Sequence, residues 1–187
     1  MSKANMNERK SVLRTIRLPE SSTLSLKKEA AEKGVTFNAL VNSILGQYVN
    51  WQRGAEEFGF VWVHKLYYER LIEEADEETL VRLGREVVFN TWKEMAEFWF
   101  EDSSPDKMLE LLTLRSRLDS RPESTVTRDL DTYTIVYRND NGPKYGIVAE
   151  SAFREFVRQS FHVEPRISRG ETVVTVRFTV RPRNSPI

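Results

Sequence analysis

The first fifty residues change from a strand pattern to a helical one at a single proline, and this order limits what the chain can fold into. Residues 11–18 alternate their side chains as a β-strand does, and Pro19 ends the alternation. A helical arrangement of about three turns follows, and Gly34 provides the left-handed residue that ends it. Thr36 is a suitable N-cap for a second helix, which the spacing extends to about Trp51. The predicted order is strand, helix, glycine turn, helix.

A single strand beside two short helices is incomplete as a folding unit. The strand cannot satisfy its own edge hydrogen bonds, and roughly forty residues bury too little apolar surface to be stable alone. Antiparallel pairing of the strands of two copies removes both problems. The second helix has one apolar stripe that would form the core of such a homodimer: Phe37, Leu40, Val41, Ile44, Leu45 and Tyr48.

Two sequence segments at this point resemble a known family. R-T-I-R-L-P-E-S at 14–21 and G-V-T-F-N-A-L-V-N at 34–42 are similar to the ribbon-helix-helix DNA-binding fold of Arc- and MetJ-type repressors. The resemblance covers about residues 10–52. It implies a dimer whose two-stranded ribbon enters the major groove of double-stranded DNA, where alternate strand residues reach the base edges.

The resemblance also implies which residues contact DNA. The strand residues that face outward would be Leu13, Thr15 and Arg17, of which Arg17 is the first choice to bind a guanine and Thr15 a base or a thymine methyl. A bulge or a one-residue shift would exchange Leu13 with Arg14. Backbone N–H groups at the start of the second helix would hold a phosphate, and a basic arm would lie near the duplex. The predicted DNA-binding residues are Arg9, Lys10, Leu13, Arg14, Thr15, Arg17, Thr36, Phe37 and Asn38.

The overall charge conceals a division between the two parts of the chain. The 187 residues include 28 basic and 28 acidic side chains, a net charge of zero. Residues 1–53 hold nine basic and four acidic side chains (9 − 4 = +5), so the remainder holds 19 and 24 (19 − 24 = −5). This distribution predicts a basic interaction module attached to an acidic body.

The acidic body, residues 58–182, is predicted to be a second, α+β domain with a helical first half and an antiparallel sheet. Residues 52–57 before it are interpreted as a short linker or a continued helix, and 60–63 as a short buried strand or an extended segment. The predicted helices span about 66–74, 77–101, 105–118 and 143–161, and the strands about 124–128, 131–138, 163–168 and 171–181. The apolar stripe expected for helix 77–101 is Leu80, Leu83, Val87, Val88, Thr91, Trp92, Met95, Phe98 and Trp99.

Few residues of the acidic body indicate a catalytic, metal-binding or cofactor-binding site. With no cysteine and two histidines, His64 and His162, the sequence excludes thiolate sites and disfavours a metal site, and no cofactor is expected. The acidic run 69–78 is interpreted as a solvated helix junction, the loop 139–144 as a strand-to-helix turn, and Ser151 and both histidines as structural. No signal peptide or membrane span is predicted, which favours a cytoplasmic protein.

One group of aromatic residues exceeds what a small core needs. These residues could line an apolar pocket for an effector, although packing in the core or a second dimer interface is favoured: Phe89, Trp92, Phe98, Trp99, Phe100, Tyr133, Tyr137 and Phe153.

The sequence therefore predicts a sequence-specific DNA-binding transcriptional regulator, a repressor-type homodimer or higher oligomer and not an enzyme. The body would sense a small-molecule or protein effector or drive oligomerisation. An alternative is an antitoxin-like DNA-binding protein whose C-terminal part binds a protein partner, but such partner segments are short and disordered before binding. An enzyme recruited by the DNA module is a third class, and no catalytic constellation supports it.

Overall fold

The computed structural model describes residues 12–118 and 124–180, and the chain divides into two compact units between Phe60 and Val61. The predicted arm residues Arg9 and Lys10 lie outside the described residues. The two units are called the N-terminal unit and the C-terminal unit, and each is described by itself.

The N-terminal unit is helical from Glu20 onward. Helix α1 spans Glu20–Glu32. Gly34 follows two residues later, and its φ of +66° is the left-handed conformation predicted for it. Helix α2 spans Phe37–Gln47 and continues without a break through a π-helical turn, Tyr48–Gln52, into α3, Arg53–Phe58. Residues 52–57 are therefore a continued helix and not a linker.

Of residues 11–18, predicted as a strand, residues 12–18 form neither a helix nor a paired strand in the single chain, and residue 11 lies outside the described residues. A β-strand needs a neighbour to accept and donate its backbone hydrogen bonds, and this unit contains none within residues 12–60. The ribbon of the ribbon-helix-helix fold thus stays a prediction, whereas the two helices and the glycine turn between them are present.

The first half of the C-terminal unit is helical, as predicted. Helix α4 spans Lys65–Glu74 and α5 spans Glu77–Arg82, which continues through a π-helical turn, Leu83–Val88, into α6, Phe89–Phe100. Helix α7 spans Pro105–Leu118, with proline at its first position. Asp76 caps α5 by accepting a hydrogen bond from the Thr79 backbone N–H at 2.7 Å.

The second half of this unit is a four-stranded antiparallel sheet with one helix, α8, Tyr145–Phe161. The strands are β1 (Ser124–Asp129), β2 (Thr132–Arg138), β3 (Arg166–Arg169) and β4 (Val173–Thr179), in the order β1-β2-β4-β3. Their register places Tyr133 opposite Phe178, Ile135 opposite Val176 and Tyr137 opposite Val174 on one face. Helix α8 packs against β3, β4, α5 and the second π-helical turn, and its buried residues include Phe153 and Phe156. The predicted α+β class and its antiparallel sheet are confirmed for the C-terminal half.

The second π-helical turn corrects the predicted stripe of the long helix. Val87, placed in the stripe, is 53% exposed, whereas Phe89, which the stripe omitted, is buried. The buried positions on the core-facing side of the helix are Leu80, Gly84 and Phe89. The interval from Leu80 to Gly84 is four residues, whereas the interval from Gly84 to Phe89 is five. A π-helical turn contains about one residue more than an α-helical turn. A pattern with the α-helical period of 3.6 residues therefore does not predict where the extra residue lies.

Of the two interpretations of segment 60–63, the short buried strand is wrong. The segment has no regular structure, and Val61, Trp62 and Val63 are exposed. Four consecutive apolar or aromatic residues indicate burial only if a surface is available to cover them, and none is supplied by the described residues of the C-terminal unit.

Candidate nucleic-acid interface

The residues predicted to enter the DNA groove lie in an exposed segment. Every residue from Val12 to Pro19 is exposed, including the apolar Leu13 and Ile16. The Arg14 guanidinium donates a hydrogen bond to the backbone carbonyl of Leu13 at 3.4 Å. The side chains at 12–19 are therefore available for contacts with another molecule.

Among the described residues of the N-terminal unit, most of the cations that lack an acidic partner lie in this segment. On the helices, Lys33 pairs with Glu29 at 2.6 Å and Lys28 approaches Glu32 at 3.9 Å. Near the end of the unit, Arg53 approaches Glu57 at 3.6 Å. Arg14, Arg17 and Lys27, in contrast, have no acidic partner among the residues that the structure describes. Two of these three cations belong to the predicted strand.

The start of α2 has the geometry of an anion-binding helix end. The Thr36 side chain accepts a hydrogen bond from the Ala39 backbone N–H at 3.1 Å, and the Thr36 carbonyl accepts from Leu40. The backbone N–H groups of Phe37 and Asn38 have no acceptor within residues 12–118 and 124–180. Together with the helix dipole, they form a position that favours an anion.

The apolar stripe of α2 is only half covered. Leu40 is buried, whereas Ile44, Leu45, Tyr48 and Val49 are between 41% and 66% exposed. Monomeric proteins seldom leave several large apolar side chains exposed on one helix face. The face is therefore suited to pack against another protein surface, as the predicted dimer requires.

The candidate residues in the C-terminal unit have structural roles. His64 caps α4 by accepting a hydrogen bond from the Leu66 N–H, and Ser151 donates to the carbonyl of Ile147, one turn back on α8. In the loop 139–144, Lys144 donates to the carbonyls of Glu73 and Ala75 at the end of α4. No group of three or more potential metal ligands occurs in the described ranges.

The aromatic residues of the C-terminal unit pack against each other. The Phe153 ring lies 5.0 Å from that of Trp92 and 5.7 Å from that of Tyr137, and the Tyr133 and Phe178 rings stack at 5.1 Å. Spacings of this kind are typical of a filled core. Of the interpretations given to these residues, the contacts favour core packing over a pocket, and the second dimer interface stays a prediction.

A polar groove that the sequence did not indicate lies between α5, the second π-helical turn and α8. It encloses about 310 Å³ and is lined mainly by charged residues: Glu77, Val81, Arg85, Ile147, Glu150, Ser151, Arg154, Glu155, Arg158 and Arg169. Glu150 pairs with Arg154 at 3.0 Å and with Arg169 at 3.3 Å, and Glu164 accepts hydrogen bonds from Arg154 and from Arg158. These arginines are thus engaged by carboxylates of their own unit.

The Arg154 and Arg158 contacts change the acidity of Glu164. The hydrogen bond from Arg158 is the principal cause that holds the pKa of the Glu164 carboxyl below its ordinary value, and the bond from Arg154 adds to it. Partial burial acts to lower the pKa of Arg154, but its hydrogen bonds to Glu150 and Glu164 outweigh this effect and raise the pKa above the ordinary value. The network joins α8 to the segment that precedes β3 and stabilises the charged forms of Arg154 and Glu164.

Comparison of the chain with protein-family models, with curated proteins and with solved structures found no match. None of the helices in the described ranges combines the length and the apolar character that crossing a membrane needs. Functional inference therefore starts from the residues and their geometry in this chain.

Proposed function

We propose that the protein is a sequence-specific DNA-binding transcriptional regulator that acts as a dimer, with the strands 11–18 of two copies paired in the major groove. The observation that carries the proposal is the exposed basic segment 12–19 followed by two helices, the second of which has an uncovered apolar face. Pairing of two such segments supplies the missing strand neighbour and covers the α2 face in one step.

Sequence readout is assigned to the outward side chains of the ribbon. Arg17 is exposed and has no acidic partner among the described residues, so its N–H groups are available to the O6 and N7 acceptors of a guanine. Thr15 lies two residues earlier and shares the same face of an extended strand. Leu13 completes this face, and Arg14 replaces it if the strand contains a bulge.

The start of α2 is assigned to the DNA backbone. A phosphate placed against the N–H groups of Phe37 and Asn38 would accept the hydrogen bonds of these two donors, for which no described residue is an acceptor. Such contacts fix the register of the protein on the duplex and do not discriminate between sequences. The C-terminal unit is assigned to effector sensing or to oligomerisation.

The test is titration of duplex DNA with wild type and with Arg17→Ala, using duplexes recovered by crosslinking and sequencing. We expect Arg17→Ala to lose about 1–3 kcal/mol on the preferred duplex, which is roughly a 5- to 150-fold weaker affinity. On duplexes of unrelated sequence the loss should be much smaller. Fluorescence anisotropy at two salt concentrations separates the specific from the electrostatic part of binding.

Lys27→Ala is the matched control, because Lys27 is also a cation without an acidic partner among the described residues but lies on α1. It should weaken binding to all duplexes equally or not at all. If Arg17→Ala binds the preferred duplex as tightly as wild type does, Arg17 does not read bases. If wild type prefers no duplex, the proposed function itself is wrong.

A further inference from the structure

Two arginines of the C-terminal sheet lie directly opposite each other. The register of β3 on β4 pairs Arg166 with Arg177, and both residues are exposed. Like charges directly opposite each other on neighbouring strands destabilise a sheet. Neither arginine has an acidic partner in the part of the chain that the structure describes. The pair therefore has two guanidinium groups available to an anion.

The carboxylate closest to this pair along the chain is already engaged. Glu164 precedes Arg166 by two residues, and it accepts hydrogen bonds from Arg154 and Arg158 of α8. Residues 181–187, which follow the last described residue, contain two further arginines and no acidic side chain. The sequence on either side of the pair therefore leaves its positive charge without a local counterion.

The pair borders a cavity at the point where the pairing of β3 with β4 ends. Arg166 and Arg177 are the last residues in register at this end of the strands, and no backbone hydrogen bond joins Glu164 to Thr179 beyond them. The cavity encloses about 920 Å³ and is lined by residues 161–164, 166 and 177–180. Its volume is in the range of pockets that hold small organic molecules, roughly 300–1,000 Å³.

One side of this cavity is aromatic. The Phe161 ring at the end of α8 is partly buried and lies 4.8 Å from the ring of Phe178, and both residues line the cavity. Because neighbouring strand residues point to opposite faces of a sheet, Arg177 and Phe178 border the cavity from different sides. A molecule that fills it would contact guanidinium groups at one end and aromatic rings at the other.

The charges of the site indicate the class of this molecule. Arginine binds phosphate through two parallel N–H···O bonds, and a phosphomonoester carries a charge of about −1.5 to −2 at neutral pH, which matches two guanidinium groups. A nucleic-acid strand requires a longer run of cations. Residues 54–187 instead have a net charge of −5 (19 − 24), so an extended polyanion would be repelled. A small molecule with one phosphate is better suited to the site.

We propose that this cavity binds a small phosphate-bearing molecule with an aromatic ring, whose phosphate lies between Arg166 and Arg177 and whose ring contacts Phe161. The site belongs to the C-terminal unit alone, so binding does not require DNA. The role of the molecule as the effector of a regulator rests on the proposed function.

The test is isothermal titration calorimetry of the full chain with phenyl phosphate and with inorganic phosphate. We expect phenyl phosphate to bind, and inorganic phosphate to bind about tenfold more weakly because it has no ring to bury. Arg166→Gln combined with Arg177→Gln should weaken the binding of phenyl phosphate about tenfold or more, since charged hydrogen bonds are lost. If the double variant binds phenyl phosphate as wild type does, or if wild type does not bind it, the proposal is wrong.

Arg138→Gln is the matched control for the double variant. Arg138 is an exposed arginine of β2 in the same sheet, but it does not line the cavity. Its replacement removes a positive charge from the sheet and should leave the affinity for phenyl phosphate unchanged. An equal loss for Arg138→Gln would show that general charge, and not the Arg166–Arg177 pair, holds the phosphate.

Thermal unfolding separates a binding role of the two arginines from a structural one. Replacement of either arginine removes a repulsion between like charges, so Arg166→Gln and Arg177→Gln should each melt at the same temperature as wild type or higher. Phenyl phosphate should raise the melting temperature of wild type but not that of the double variant. A lower melting temperature of the variants without ligand would show that the arginines stabilise the fold, and would overturn the proposal.

A single-stranded oligonucleotide distinguishes a small molecule from a nucleic-acid backbone as the source of the phosphate. Its affinity should be the same for wild type and for the double variant. A loss of oligonucleotide affinity in the double variant would assign Arg166 and Arg177 to a nucleic-acid backbone, and the assignment to a small molecule would be wrong.

Failure of this inference can be distinguished from failure of the proposed function. If phenyl phosphate binds through the two arginines but the chain prefers no duplex, the cavity is a binding site and the DNA-binding proposal is wrong. If the chain prefers a duplex and the double variant binds phenyl phosphate as wild type does, only the assignment of the cavity is wrong.

Discussion

The N-terminal and C-terminal units differ in where their apolar side chains are placed. In the N-terminal unit the buried residues among those described are Ala30, Leu40 and Ala55, two of which have the smallest apolar side chain after glycine. In the C-terminal unit the largest fully buried side chains are Phe153, Phe156, Leu80, Ile135, Val148, Val157, Val174 and Val176. The C-terminal unit therefore has a hydrophobic core of its own. The N-terminal unit has an apolar helix face but no comparable core among its described residues.

This difference predicts two kinds of stability. Burial of large apolar side chains within one chain stabilises a unit at any protein concentration. A unit that buries its apolar face only against a second copy is stabilised by mass action, so its stability depends on concentration. The following substitutions examine this contrast.

The largest effect is expected for Phe153→Ala in the C-terminal unit. Phe153 is fully buried between Trp92 and Tyr137, and its loss leaves a cavity that the neighbouring strands and helices cannot close. We expect a decrease of about 3–5 kcal/mol in the free energy of unfolding, measured by denaturant titration. The decrease should be the same at low and high protein concentration.

Val87→Ala is the control for this prediction, because Val87 is 53% exposed on the long helix of the same unit. Its effect should stay within about 0.5 kcal/mol. A loss for Phe153→Ala that varies with protein concentration would show that the C-terminal unit, too, depends on a partner, and the contrast between the units would disappear.

A smaller but concentration-dependent effect is expected for Leu45→Asp in the N-terminal unit. Leu45 lies on the apolar face of α2 and is 51% exposed, so the aspartate is tolerated in the single chain but would be buried in the dimer. We expect the dimer dissociation constant to rise about thirtyfold or more, equivalent to about 2 kcal/mol, with a parallel loss of DNA affinity. Sedimentation equilibrium and anisotropy measure the two.

Ser43→Asp introduces the same charge on an exposed position of α2 outside the apolar stripe and should leave the dimer unchanged. If Leu45→Asp dimerises as wild type does, the α2 face is not the dimer core. In that case the N-terminal unit has to obtain its stability from another source.

The smallest effect is expected for Glu164→Gln in the arginine network of the C-terminal unit. Because its folded-state pKa is below the unfolded value, Glu164 stabilises the folded state above the unfolded pKa, and the contribution is lost as pH falls through the folded pKa. Its side chain is 53% exposed, so screening limits the contribution to about 1 kcal/mol or less at neutral pH.

The measurement is the difference in melting temperature between wild type and Glu164→Gln as a function of pH. The variant should be less stable at pH 7, and the difference should vanish in acid and shrink in high salt. Glu171→Gln is the control, since Glu171 is exposed and has no partner among the described residues. If the difference in melting temperature between wild type and Glu164→Gln increases as pH falls, the Arg158–Glu164 pair is not the cause of the difference.

Regular elements whose residues are covered within their own unit were predictable from the sequence. The helix over Pro105–Leu118 begins where its proline indicates, and the strands of the C-terminal unit agree with the alternation of Tyr133, Ile135 and Tyr137. In these elements the apolar positions given by the spacing are also the positions buried in the fold. A period of two residues therefore predicts the strands, and a period of 3.6 residues predicts the helices.

The groove and the exposed apolar residues depend on which elements pack against each other. The spacing of residues along the sequence does not give this information. The groove of Arg154, Arg158 and Arg169 is formed where α8 meets segments distant in the chain, and the exposure of Trp62 depends on which surface is available to cover it. For the candidate interface, the sequence identified the exposed basic segment. Whether Arg14 or Leu13 lies on the outward face of the proposed ribbon depends on how two strands would pair, which a single sequence does not specify.

The π-helical turn at Leu83–Val88 has a consequence for the length of the chain. It takes up one residue between the buried positions Gly84 and Phe89, and Gly84 lies close against the α8 backbone, since a Cβ at this position would be 2.2 Å from the Val148 carbonyl oxygen. Elsewhere in an α-helix, deletion of one residue turns everything downstream by about 100°. Deletion of one residue between these two positions would convert the π-helical turn to an α-helical one and keep Phe89 facing the core. We therefore expect this helix to tolerate the loss of one residue at the π-helical turn while Phe89 stays in the core.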